Sequence, residues 1–256
     1  KLIFKVLGLP LQVILFCLNC SIVWRNGSAV GEQVLMTGAV SRYSKIKPYS
    51  KIIIITRYPE FFISNPQIFL VIGEACWPTW LRVFVTSYLR ASSGPRICEF
   101  LFQSTNGLAD YMKKTGSSEH LSSLHFSNFR LNVERDLRLS ANFFISRREI
   151  EKVKKKFYLP DEYCVINTET KMTYAPVKAW SKKKFSKVVM NTKELNWIMV
   201  DKTKNFIKAE NLTNLSGLIS LRELIVIVSQ SKLCLGTEGF LGHVASAFSS
   251  VHSVVI

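Results

Sequence analysis

The sequence predicts an α/β chain of two doubly wound domains, each built on a parallel sheet, and three observations carry that reading. Short β-branched runs such as Lys51-Ile52-Ile53-Ile54-Ile55-Thr56 alternate with helical segments, as in βαβ units. The alternation breaks at a charged stretch, residues 146 to 158, and then begins again. With 48% apolar residues, 256 residues can fill two cores, since domains commonly run to about 100–200 residues.

Residues 2 to 18 (LIFKVLGLPLQVILFCL) are almost wholly apolar, interrupted by Lys5, Pro10 and Gln12. A helix of that length reaches roughly 25 Å, short of a bilayer's hydrocarbon thickness of about 30 Å. Three readings stand: a kinked interfacial or re-entrant anchor, a signal peptide, or a helix packed on the domain. The run leads straight into Cys20-Ser21-Ile22-Val23-Trp24, which reads as a first core strand and disfavours cleavage. A glycine-containing turn, a helix over 31–44, the strand 51–56 and a strand at 69–72 follow. Helices are expected near 77–90 and 105–114, while 121–139 fits no single pattern.

At 146–158 (SRREIEKVKKKFY) Ser146 and Glu149 fit a capping box, and Leu159-Pro160-Asp161 stops the helix. The domains are therefore set at 1–18 for the apolar segment, 19–147 for the first domain and 148–256 for the second. The second runs as strand 163–167, loop to 176, helix 181–190, strand 197–200, a short loop region, helix 220–229, strand 232–235, helix 242–248 and strand 253–256. No fixed-period repeat or low-complexity segment is found. The chain opens on Lys1 and closes on a strand-like segment, so it is expected to be incomplete at both ends.

Lysine and arginine number 34 against 18 acidic residues, a formal charge of +16, which points to an anionic partner. Arg147-Arg148, Lys154-Lys155-Lys156 and Lys182-Lys183-Lys184 read as exposed helix faces; solvated surface is the plain reading, and contact with a membrane or anionic ligand the functional one. Arginine-rich or aromatic-interleaved motifs are lacking, which argues against nucleic acid. Six cysteines dispersed through apolar stretches suit buried free thiols in a reducing, cytoplasmic compartment. Cys17 and Cys20 form a lone C-x-x-C with no second pair or histidine cluster, so no metal is expected. The sequons at Asn26, Asn211 and Asn214 are taken as chance.

Three stretches can carry chemistry. In Arg25-Asn26-Gly27-Ser28-Ala29-Val30-Gly31-Glu32-Gln33-Val34 a strand passes through a small-residue turn into a helix whose free amides suit an anion. The spacing is not G-x-G-x-x-G, and Glu32 could merely favour the helix dipole. In Leu235-Gly236-Thr237-Glu238-Gly239-Phe240-Leu241-Gly242-His243-Val244 an acid among glycines precedes a small-residue helix that begins with a histidine, at the carboxyl end of a strand, where open α/β sheets bind ligands. The plain alternative is a satisfied histidine at a helix start. The loop Lys171 to Trp180 (KMTYAPVKAW) offers lysines beside a strand end, where they can hold phosphate.

Taken in order and spacing, these stretches resemble the heptosyltransferase family, glycosyltransferase family 9, over roughly residues 20 to 256. VWRNGSAVGEQVLMTGAVSRYSK with IIIIT and SNPQI is similar to that family's opening strand, Gly-Asp turn, helix, second strand and Asn-Pro element. CVINTETK, Lys178 and Trp180 followed by Phe185, NLSGLISLRELIVIVSQSKLCLG and HVASA follow its nucleotide-binding domain.

The resemblance implies the GT-B fold, two Rossmann-like domains with parallel sheets facing a central cleft, acceptor on the first domain and donor nucleotide on the second. It places Glu32 where the family has its base, with Gly31 and Gln33 in the acceptor-side turn. It assigns Lys178 to the donor diphosphate, and Thr237, Glu238, Gly239, Gly242 and His243 to the nucleotide and phosphates. It implies no metal and no cofactor; the donor substrate is a nucleotide-diphosphate sugar, with ADP-heptose a candidate, and the acceptor a cell-surface glycan or glycolipid. The sequence departs from the pattern with glutamate for aspartate at 32 and 238, with Phe240 where glycine is usual, and without the family's closing segment. The expected function is inverting glycosyl transfer at the cytoplasmic face of an anionic membrane. A catalytically inactive relative that binds or scaffolds is the alternative; a Rossmann oxidoreductase lacks its glycine fingerprint.

Overall fold

A computed structural model describes residues 2–25, 30–92, 96–99, 140–170, 178–203 and 207–256. The turn at 26–29, the helix expected near 105–114, the stretch 121–139 and the loop 171–177 lie outside the described residues. The chain divides into two compact units, Lys1–Phe143 and Phe144–Ile256.

In the first unit α1 (Leu2–Cys17) leads into β1 (Cys20–Trp24), followed by α2 (Val30–Ile46), β2 (Lys51–Thr56), a 3-10 turn at Pro59–Phe61, β3 (Ile68–Gly73), α3 (Thr79–Ala91) and β4 (Ile97–Glu99). The four strands are parallel in the order β3-β2-β1-β4. β1 is buried along its whole length, which is why CSIVW reads as a continuous apolar run rather than an alternating one. On one side α2 packs, its Tyr43 hydroxyl donating to Ser21 Oγ at 2.7 Å. On the other, Ile22, Trp24, Ile55 and Ile97 meet Leu15 of α1 and Leu89 of α3.

The apolar N-terminal stretch is thus a helix packed on its own unit through Leu11 and Leu15, with Gln12 Nε2 donating to Ser92 O at 2.6 Å. No helix among the described residues is long and apolar enough to cross a membrane. Residues 140–143 lie close along α2: Asn142 N donates to Thr37 Oγ1 at 2.9 Å and Asn142 Nδ2 to Ser41 Oγ at 2.7 Å. Gly38 makes this approach possible, since a Cβ there would stand 2.1 Å from Ser140 O.

The second unit runs α4 (Arg147–Phe157), β5 (Cys164–Asn167), α5 (Lys182–Asn191), β6 (Trp197–Met199), β7 (Leu212–Asn214), α6 (Leu221–Ser229), β8 (Leu233–Gly236), α7 (Phe240–Ala245) and β9 (His252–Val255). Its five strands are parallel in the order β7-β6-β5-β8-β9. The Ser146–Glu149 capping box forms as expected, and Ser220 and Glu223 make a second one on α6. Arg222 joins these two helix starts, with Nε on Glu149 Oε1 at 2.8 Å and Nη2 on Phe144 O at 2.6 Å. Burial alone would raise the Glu149 carboxyl, but the bonds from Arg222 and Ser146 bring it down to about 2.

Three expectations are corrected. The helix placed at 242–248 spans Phe240–Ala245, with Gly239 as its N-cap, because the chain after Ala245 tightens into i→i+3 bonds at Ala247 and Phe248. β4 and β7 were not anticipated: each has three residues at a sheet edge, too few to show a period of their own. Cys17 and Cys76 are exposed, against the expectation of buried thiols, although all six cysteines are free.

Gly38→Ala should destabilise the first unit by about 1–3 kcal/mol through overpacking against residue 140, read as a lower denaturation midpoint.

Candidate functional site

In an open parallel sheet, the crevice forms at the carboxyl ends of strands where successive connections leave in opposite directions. β1 is such a strand in the first unit, flanked by β2 and β4, and β5 in the second, flanked by β6 and β8. Every candidate residue from the sequence lies on a segment leaving one of these strand ends or that of β8.

After β1, Gly31 and Glu32 occupy the first turn of α2. Glu32 is ion-paired with Arg25, whose side chain is almost fully buried at the end of β1. The carboxylate is therefore held in place, and its charge is compensated. Gln33 is buried beneath it and accepts a hydrogen bond from Thr56 Oγ1 at 2.7 Å, which fixes the start of α2 to the end of β2. At the same edge Glu74, just beyond β3, is 3% exposed; burial raises its carboxyl against the opposing pull of Arg82 and Arg57.

In the second unit two residues distant in sequence meet after β5 and β8: Lys178 Nζ lies 2.6 Å from Glu238 Oε2. Thr237 is buried and donates to Glu169 O at 3.3 Å, while Thr170 Oγ1 donates to Thr237 Oγ1 at 3.0 Å. Gly239 caps α7, leaving its Cβ position in open space. Gly242 and His243 lie inside the six-residue α7 rather than at its start, which Phe240 and Leu241 form. Burial lowers the His243 pKa from 6.5, while the Glu238 carboxylate acts to raise it.

Sequence reasoning missed the acids that shape these ends. Asp201, 1% exposed after β6, accepts from Thr168 N at 2.7 Å and Thr168 Oγ1 at 2.6 Å, tying β6 to β5. Glu169 accepts from Lys202 N at 2.7 Å, Thr203 N at 3.0 Å and Thr203 Oγ1. Burial would raise its carboxyl, yet these bonds hold it below the usual range. The available signal was acid directly after an apolar strand, as in VINTE and IMVD.

Among the described residues, no group of three or more His, Cys, Asp or Glu side chains gathers to hold a metal ion.

No family model and no curated protein matches the chain by sequence. Solved structures do match. A family 9 glycosyltransferase from Veillonella parvula DSM 2008 superposes with a TM-score of 0.66 at 12% identity, covering 92% of this chain and 85% of that one. The ADP-heptose lps heptosyltransferase II of E. coli gives 0.61 at 11%, covering 91% and 90%. This chain has a glycosyltransferase fold of the GT-B type. The iron-containing dodecameric glycosyltransferase TibC of enterotoxigenic E. coli H10407 gives 0.59 at 12%, covering 92% of this chain and 57% of that one. Two α/β units with parallel sheets, the architecture expected from the sequence, are what these structures share with it.

Because the folded His243 pKa lies below its unfolded value, the unfolded state binds more protons, and stability is lost as pH falls below about 6.5. His243→Asn should remove that component of the acid destabilisation, measured by denaturant unfolding across pH; an unchanged pH profile would contradict it.

Proposed function

We propose that this protein is a sugar-nucleotide-dependent glycosyltransferase that moves a sugar, with inversion, to a hydroxyl of a cell-surface glycan or lipid-linked acceptor. What supports the reading is the meeting of Lys178 and Glu238 at the β5/β8 switch point, within a fold shared with heptosyltransferases. ADP-heptose is the donor to try first, because the matched E. coli protein acts on ADP-heptose, and lipopolysaccharide assembly is the corresponding pathway.

Glu32 acts as the base that takes the acceptor's proton while the hydroxyl oxygen attacks the anomeric carbon and the nucleoside diphosphate leaves. Lys178 steadies the departing diphosphate. In the free protein its ammonium rests on Glu238, so donor binding exchanges a carboxylate for phosphate and releases Glu238 toward the nucleoside. The start of α7 follows Glu238 directly, and the same helix carries His243, whose pKa burial lowers.

One observation favours a second reading, a protein that binds the nucleotide without transferring sugar: the Arg25 guanidinium already engages the Glu32 carboxylate in the free protein.

Thermal unfolding with ADP, UDP, GDP, CMP and NAD tests the site. A ligand at a hundred times its Kd adds about 2.7 kcal/mol of stability, so one nucleoside diphosphate should shift the melting temperature and the shift should vanish in Lys178→Ala and Glu238→Ala. Stabilisation by none of the panel would sink the proposal. Glu32→Gln should keep the shift and abolish sugar transfer; wild-type protein that binds nucleotide but transfers from no nucleotide sugar would favour the second reading.

A further inference from the structure

We infer that Glu169 is the positioning residue of the nucleotide site, an assignment that rests on the reading of the β5/β8 ends given above, and that it fixes the spacing of the loops leaving β6 and β8. The Glu169 carboxylate crosses to the loop after β6, where Oε2 accepts from Lys202 N at 2.7 Å and Oε1 from Thr203 N at 3.0 Å and from the Thr203 hydroxyl. Asp201 makes the opposite exchange: from the β6 side it accepts from Thr168 N at 2.7 Å and from the Thr168 hydroxyl at 2.6 Å. Each loop thus supplies a carboxylate to backbone N–H groups of the other. On the far side, the Glu169 carbonyl accepts from Thr237 Oγ1 at 3.3 Å, and Thr170 Oγ1 donates to Thr237 Oγ1 at 3.0 Å. Thr237 immediately precedes Glu238, the partner of Lys178.

Because β5 lies between β6 and β8, one residue just past its end joins three strand ends. The ladder fixes the strands as far as the pairs Ile166–Met199 and Asn167–Gly236. Past those pairs, the Glu169 and Asp201 bonds carry the spacing into the loops. Both Glu169 oxygens are used, so an amide of the same size cannot replace it: one oxygen would remain, and the NH2 group would turn against a backbone N–H. Although burial opposes the charge, the bonds from Thr203 and Lys202 and the Lys182 cation keep the carboxyl below the ordinary range, so the bracket is closed at neutral pH. Loops already held at their bound spacing need no ordering when a ligand arrives, and that saving appears as affinity. Asp201 is buried, and its loss would leave polar groups unpaired in the interior. Glu169 is partly exposed, which makes it the member that can be changed while the unit stays folded.

Calorimetric titration of the full chain with ADP, UDP and GDP, beside the melting temperature of the ligand-free protein, tests this. Glu169→Ala should weaken the nucleoside diphosphate that the parent binds by about tenfold or more. Its ligand-free melting temperature should fall by only about 2–4 °C. Glu169→Gln should weaken binding as well, whereas a side chain that merely filled space would be rescued by it. Thr203→Val removes a donor to Glu169 at an exposed position on the β6 side; it should weaken binding in the same direction, and the double variant Glu169→Ala, Thr203→Val should bind no worse than Glu169→Ala alone. If Glu169→Ala fails to fold, Glu169→Gln and Thr203→Val carry the test. Parent affinity in folded Glu169→Ala or in Glu169→Gln overturns the inference and leaves the nucleotide site standing. So does a loss in either Glu169 variant with none in Thr203→Val, since Glu169 would then act on the nucleotide directly. A parent that binds none of the three nucleotides defeats the underlying reading and the inference with it.

Discussion

Burial of the central strands β1 and β5 on both faces governs the rest of the structure. Val23 in β1 and Val165 and Ile166 in β5 are wholly removed from water, and a parallel strand in that position needs helices above and below it. Its neighbours are then reached by crossovers that depart in opposite directions. The loops leaving its carboxyl end separate, and the space between them is where backbone donors and polar side chains can face a ligand. Arg25 and Glu32 follow β1, and Thr168, Glu169 and Lys178 follow β5, for this reason and not through any preference of the loops themselves.

Within those ends the charges are arranged in pairs and hydrogen-bonded groups. Arg25 and Glu32 are joined where the arginine is nearly inaccessible, and removing either partner would leave the other charge buried without compensation. Lys178 and Glu238 are joined in a partly solvated position, where a pair contributes little stability and exchanges readily for a more strongly charged ligand. The first pair is suited to holding a geometry and the second to being opened. Asp201 and Glu169 accept hydrogen bonds from backbone amides and threonine hydroxyls and so shape the ends of β5 and β6.

Much of the fold was legible in the sequence because its signals are local. Lys51 to Thr56 is a β-branched run of strand length and forms a strand over the same residues, and Ser146 with Glu149 specifies a helix start whose reciprocal bonds both form. Ile97–Glu99 and Leu212–Asn214 were not legible, since three residues at a sheet edge gain their structure from the neighbouring ladder. The end of α7 was misplaced because Phe248 continues the apolar pattern while the backbone has already tightened after Ala245. Glu32 and Glu238 were visible as acids among glycines. Lys178 was visible as a lysine beside a strand end, but its pairing with Glu238, the pairing of Arg25 with Glu32 and the burial of Glu74 emerge only from three-dimensional proximity.

The central claim is that the β5/β8 switch point receives the diphosphate of a nucleotide. A crystal structure of the protein with a bound nucleoside diphosphate tests it most directly. The account predicts phosphate density within hydrogen-bonding distance of Lys178 Nζ, with the Lys178–Glu238 pair opened and Thr237 to Leu241 lining the ligand. A nucleotide seated elsewhere, or seated there with Lys178 still paired to Glu238 and no contact to phosphate, would contradict it.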